Sequence, residues 1–146
     1  MVAKPIVVAV AATGRSGTPD VLACAVAAAR LLRAPLVLAG IAVGERPADA
    51  GERPDALRAA VARELHRQAD VVPDDVPCTV HARRAASVPE GLRAVAAEED
   101  AQLLVVGNGD RVPRGASCPV LVTPAGTSAP ERPAVAAAPA PAAAPA

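Results

Sequence analysis

Residues 102–124 read QLLVVGNGDRVPRGASCPVLVTP, two short apolar runs (103–106 and 120–122) joined by a polar loop rich in Gly, Pro and Arg. Runs of β-branched residues bounded by Gly and Pro read as buried strands rather than helix. Strands that are apolar throughout, with no alternation, belong to parallel sheets covered on both faces. In such sheets ligands sit beyond the carboxyl ends of the strands, where Gly107, Asn108 and Gly109 fall. Any site in this chain is therefore expected to include the loop after Val106.

Outward from this stretch the same grammar repeats. Residues 6–12, IVVAVAA, form an unbroken apolar run that predicts a central first strand. Thr13 to Gly17 make a turn; Thr18 is a good N-cap, Pro19 suits the first helical position, and Asp20 complements the helix dipole. The helix is expected to reach about Arg33, with Val21, Ala25, Ala28 and Leu32 as its buried stripe. Pro35 ends it. Residues 36–43 then give a second strand, with Gly40 as its weak point.

A polar loop over 44–53 leads to a second helix opened by Pro54, with Leu57, Val61 and Leu65 at helical spacing. Arg58, Arg63, Glu64 and Arg67 lie off that stripe and are expected in solvent. After a loop over 71–77, residues 78–83 predict a short edge strand. Ser87-Val88-Pro89-Glu90 is a capping box with proline in the first turn, starting a helix that buries Leu92, Val95 and Ala96 and ends near Asp100. The order is βαβαβαββ, an α/β open doubly wound parallel sheet with helices on both faces. Residues 125–146 alternate Ala and Pro with no apolar pattern to bury, so a disordered Ala/Pro-rich tail is expected after a domain of residues 1–124.

Composition removes several functions. The 146 residues carry 15 Lys plus Arg and 15 Asp plus Glu, so no basic field exists to hold a nucleic-acid backbone. There is no Phe, Tyr or Trp on which single-stranded bases could stack, so nucleic acid is not an expected partner. Three irregularly spaced cysteines suggest reduced thiols in a cytoplasmic protein rather than a disulfide framework. Lys4 shortly before the run 6–12 only faintly imitates a signal peptide, and no segment is long and apolar enough to span a membrane.

Four features resemble the universal stress protein domain over residues 4–124. These are the opening KPIVVAVAATGRSG with its Ala-rich helix, the strand LVLAGIAV, the capping box, and the pair LLVVGNG and CPVLVTP. The resemblance implies a five-stranded parallel sheet, expected in the order 3-2-1-4-5, and a homodimer made through the last strand. Many members of that family bind ATP through an Asp at the end of the first strand, matched here by Ala11, and a glycine pattern G-x2-G-x9-G-[ST] after the fourth. Gly107 matches the first glycine, Gly109 arrives one residue early, and Asp110 stands where the second should be. Only eight residues separate Gly109 from Cys118, too few for the family's final helix, which is therefore expected to be missing.

A helix N-terminus normally supplies aligned amides and partial positive charge to an anion, whereas Asp110 would add repulsion. The expected function is thus a non-catalytic universal-stress-type domain in stress response, acting by dimerisation or contacts with an unknown protein partner. No resident cofactor is expected. The alternative is an ATP- or AMP-binding regulator. Its candidate residues are Ala11, the turn at Gly14, Val43 at the end of the strand that meets adenine in the family, Gly107, Asn108, Gly109, and the phosphate-pairing Arg111 and Arg114.

Other motifs carry less. The turn Gly14–Thr18 is not a P-loop, because the spacing is short and no Gly-Lys-Ser/Thr follows. Cys78 and His81 have C-x2-H spacing, but on a strand they point to opposite faces and cannot share a metal ion. His66 is expected in solvent and Cys118 as a buried thiol. The acids Asp74-Asp75 and Glu98-Glu99-Asp100 read as solvated charges, and no catalytic set assembles.

Overall fold

A computed structural model describes residues 3–10, 18–44, 48–107 and 113–123. Four of the five strands are led in by a proline: Pro5 before β1 (Ile6–Ala9), Pro35 before β2 (Leu36–Val43), Pro77 before β3 (Cys78–Ala85) and Pro119 before β5 (Val120–Val122). A proline lacks an N–H to give the ladder, so the position just before a strand is one it tolerates. Its carbonyl still accepts. Ile6 N–H donates to Pro35 at 2.9 Å, Leu36 to Pro77 at 2.8 Å, Gln102 to Pro5 at 2.9 Å and Leu104 to Pro119 at 3.0 Å. These bonds start neighbouring strands level with one another.

The sheet is wholly parallel, in the order β3-β2-β1-β4-β5, with β4 spanning Leu103–Val106. Ile6 pairs with Leu36 on one side and with Leu103 on the other. Because the chain winds outward from β1 to β3 and then returns to β4, right-handed crossovers put α1 (Thr18–Leu32) and α2 (Ala56–Ala69) on one face and α3 (Val88–Glu98) on the other. Ile6, Val8, Leu36, Leu38 and Val105 face the first pair; Val7, Val37, Ala39, Leu104 and Val106 face α3. Each fully buried Leu, Ile or Val in these layers contributes about 1.5–3 kcal/mol.

Glycine sets how closely the helices approach β2. A Cβ on Gly40 would lie 2.6 Å from Val61 Cγ1, so its absence lets α2 settle on the strand. On the other face, a Cβ on Gly91 would lie 2.6 Å from Ile41 Cδ1. Gly40 is thus a packing device within an unbroken eight-residue strand.

Several expectations need correction. Strand β1 is assigned over Ile6–Ala9, although Val10 N–H still donates to Ala39; residues 11 and 12 lie outside the described residues. The stripe on α1 is rotated: Val21, Leu22, Ala25, Val26 and Ala29 are buried, while Leu32 is 44% exposed. This helix is apolar nearly all round, so no polar face fixes its rotation in the sequence. On α2, Val61 and Leu65 are buried but Leu57 is exposed, and Pro54 precedes the true N-cap, Asp55, whose carboxylate accepts from Arg58 N–H at 3.1 Å. Glu64 is withdrawn from solvent, accepting from Gln68 Nε2 at 2.9 Å and pairing with Arg67. The edge strand β3 extends to Ala85, two residues further than its apolar part suggests.

Helix α3 starts at the expected N-cap. Ser87 Oγ accepts from Glu90 N–H, and Leu92, Val95 and Ala96 are buried. No helix among the described residues is long and apolar enough to cross a membrane.

Candidate functional site

The strand order reverses between β1 and β4, and in sheets of this kind ligands usually sit beyond the carboxyl ends of the strands at such a switch point. Three of the eight candidate residues are described. Val43 ends β2 with its side chain half in solvent. Gly107 is buried directly after β4. Arg114 is exposed, and its backbone carbonyl accepts from Arg93 Nη1 at 2.8 Å, which ties the end of the β4–β5 connection to α3. Ala11, Gly14, Asn108, Gly109 and Arg111 lie outside the described residues.

The described part of the β4–β5 connection, residues 113–119, contains a turn and extended chain but no helix. Gly115 takes φ +73 in that turn, a conformation glycine adopts without strain. Beyond it Cys118 and Val120 lean on the α3 face, and burial pushes the Cys118 thiol above its ordinary range, away from the reactive thiolate. Thr123 follows β5, 3% exposed, with its N–H donating to Val106 at 2.9 Å, so it stands beside Gly107.

A polar lock ties together the carboxyl ends of β2 and β3. Gly44 follows β2 at φ +111 and donates its N–H to Ala85 at 2.8 Å. Its carbonyl accepts from Arg84 Nη1 at 3.0 Å, and the same guanidinium grips Asp55 through Nε at 2.7 Å and Nη2 at 3.2 Å. One arginine therefore joins both ends of the segment 45–54 and the start of α2. Arg84 and Asp55 side chains are 21% and 13% exposed, so water weakens the pair little. The lock escaped sequence reading because the partners stand 29 residues apart. The signal for half of it was present: an Asp directly before a helical pattern is an N-cap.

The remaining candidates are structural. Cys78 packs on the α1/α2 side, whereas His81 faces α3, where its Nδ1 meets Glu99 Oε2 at 2.8 Å and its Nε2 meets Glu98 Oε1 at 3.4 Å. Glu98 also pairs with Arg83. These acids strap α3 to the edge strand instead of standing free in solvent. Asp75 is likewise engaged, by both Arg30 Nε and Nη2 at 2.9 Å. His66 is exposed as expected. Among the described residues no group of three or more His, Cys, Asp or Glu could hold a metal ion.

No family model and no curated protein sequence matches the chain. Solved structures do. A universal stress protein from Archaeoglobus fulgidus superposes with a TM-score of 0.64 at 23% identity, over 84% of this chain and 94% of that one. A universal stress family protein from Burkholderia pseudomallei gives 0.62 at 29% identity, over 84% and 96%. A universal stress protein from Archaeoglobus fulgidus solved in complex with dAMP gives 0.56 at 22% identity, over 84% and 98%. With its strand order and helix placement, the chain has the universal stress protein fold, a UspA-like α/β architecture.

Proposed function

We propose that this chain is a non-catalytic regulator of the universal stress type that has lost ordinary ATP binding and acts by association, as a homodimer through β5 and with a further protein. The observation that carries the reading is the β4–β5 connection. Residues 113–119 hold no helix, and the five residues 108–112 are too few to make a helix of ordinary length. A helix of ordinary length, with its dipole turned to where the family's phosphates would sit, has no room there. Asp110, at the position of the missing glycine, adds a negative charge.

Association has its own support. Strand β5 is an edge of only three residues, Val-Leu-Val, with Leu121 and Val122 each 39% exposed and no charge or proline within the strand to discourage pairing. The domain would comprise residues 1–124, with 125–146 as a tail in a cytoplasmic protein. Sedimentation velocity tests this reading. The chain should run as a dimer at micromolar concentration and Leu121→Glu as a monomer. A monomeric parent chain would overturn the association. Truncation after Pro124 should leave the thermal midpoint in place.

The second reading, an ATP- or AMP-binding regulator, is favoured by one observation: a protein of this fold was solved with dAMP. It would use Gly107, Asn108, Gly109, Arg111 and Arg114 for phosphate, and Ala11, Gly14 and Val43 around the nucleoside.

A further inference from the structure

The opposite end of the sheet holds an open cavity of about 660 Å3, between the C-terminal turn of α1, the start of β2 and the segment before β3. That volume is in the range of small-molecule sites. Its floor is apolar and stiff, built from Ala29, Ala34, Pro35 and Pro77. The two prolines have fixed φ and a carbonyl committed to the ladder, so the floor does not collapse readily.

Three charged side chains line the cavity: Arg30, Arg33 and Asp75. Arg30 and Asp75 are spent on each other through two 2.9 Å hydrogen bonds. Arg33 is left over. It is exposed, and no hydrogen bond or ion pair joins its guanidinium to another described residue. Its backbone sits at φ +53, just where Ala34 N–H reaches back to Ala29 at 3.0 Å to close the helix, a position where glycine is the preferred residue.

We infer that this cavity binds a small amphipathic monocarboxylate, its carboxylate on Arg33 and its branched alkyl body on the Ala/Pro floor. The planar guanidinium matches a carboxylate with two parallel hydrogen bonds. Two arginines against one aspartate leave at most a single positive charge, reduced by the negative end of the α1 dipole, so a monoanion is the largest charge it matches. A dianion such as phosphate would carry its surplus beside the Asp75 carboxylate. With no aromatic residue in the chain, the floor offers aliphatic contacts alone, which suit a compact alkyl body. The site is independent of nucleotide binding, since it lies at the amino ends of the strands.

The test is a titration of the full 15N-labelled chain with 3-methylbutanoate, followed at the amides of Ala29, Arg33, Ala34 and Val76. Saturable shifts confined to these amides are expected, with inorganic phosphate leaving them in place. Arg33→Gln should weaken binding at least about tenfold. Arg33→Gly should do the same while raising the thermal midpoint, which separates lost recognition from misfolding. Absence of saturable shifts, equal affinity in both variants, or phosphate binding as tightly would each overturn the proposal.

Discussion

Replacing Gly91 by Ala tests how closely α3 lies on β2. In a solvent-facing helix position the change would stabilise by about 1 kcal/mol, because glycine is the poorer helix former. Here the new Cβ would fall 2.6, 2.7 and 2.9 Å from Ile41 Cδ1, Cγ2 and Cγ1. Rotation of Ile41 cannot clear both γ carbons, since they share one Cβ. Overpacking of this kind costs about 1–3 kcal/mol, and three simultaneous short contacts put it in the upper half of that range. The net expectation is a loss of about 1–2 kcal/mol, or about 4–8 °C in midpoint.

The background decides the sign. Ile41→Ala removes all three crowding atoms, so Gly91→Ala added to it should stabilise by about 1 kcal/mol. Ile41→Val removes only Cδ1 and should relieve little. The coupling, about 2–3 kcal/mol, is far larger than the few tenths seen between independent sites. Urea unfolding followed by circular dichroism measures it, since the chain has no aromatic fluorophore. A Gly91→Ala variant more stable than the parent would refute the close α3–β2 contact that fixes the end of β2.

Three further outcomes follow from the polar structure. Arg84→Met should cost about 2–3 kcal/mol, because it removes the charge partner of the poorly exposed Asp55 carboxylate; urea unfolding at pH 7 reads this, and a neutral result would remove the lock. Asp100→Gly should stabilise by about 1 kcal/mol in the same assay. Asp100 holds φ +53 at the C-terminal end of α3, where the helix dipole disfavours an acid, and its 3.5 Å pair with Lys4 is exposed. The Arg30 hydrogen bonds, and after them its charge, hold Asp75 below the usual carboxylate range. The stability from this pair is therefore present above that range and lost as pH falls through the lowered value. In carboxyl NMR titrations Arg30→Gln should move the Asp75 midpoint upward, and an unmoved midpoint would contradict the pairing.

The strands, the helices between them and the doubly wound sheet were legible because they rest on local signals, whereas the strand order came from the family resemblance. Unbroken apolar runs mark β2 and β4, a capping box marks α3, and prolines stand before four strands. What was illegible depends on partners distant in sequence. Nothing in LVLAGIAV says that Gly40 admits Val61, or that Ile41 meets Gly91. The rotation of α1 was hidden because Ala23, Ala27 and Leu31 give its outer side no polar mark. Glu98 and Glu99 looked like solvated charges because their partners, His81 and Arg83, lie on another element. At the candidate site, Gly107 was readable from its place after an apolar run, whereas the Asp55–Arg84 lock was not.

Loss of ordinary ATP binding is tested most directly by isothermal titration of the chain with ATP and with AMP, with and without magnesium. Protein concentration would be set by peptide-bond absorbance. A β4–β5 connection with no helix in residues 113–119 and only five residues before them predicts no saturable heat at millimolar nucleotide. Micromolar binding that disappears in Arg114→Ala or Gly107→Val, with folding retained, would contradict the account and make the shortened loop a working nucleotide site.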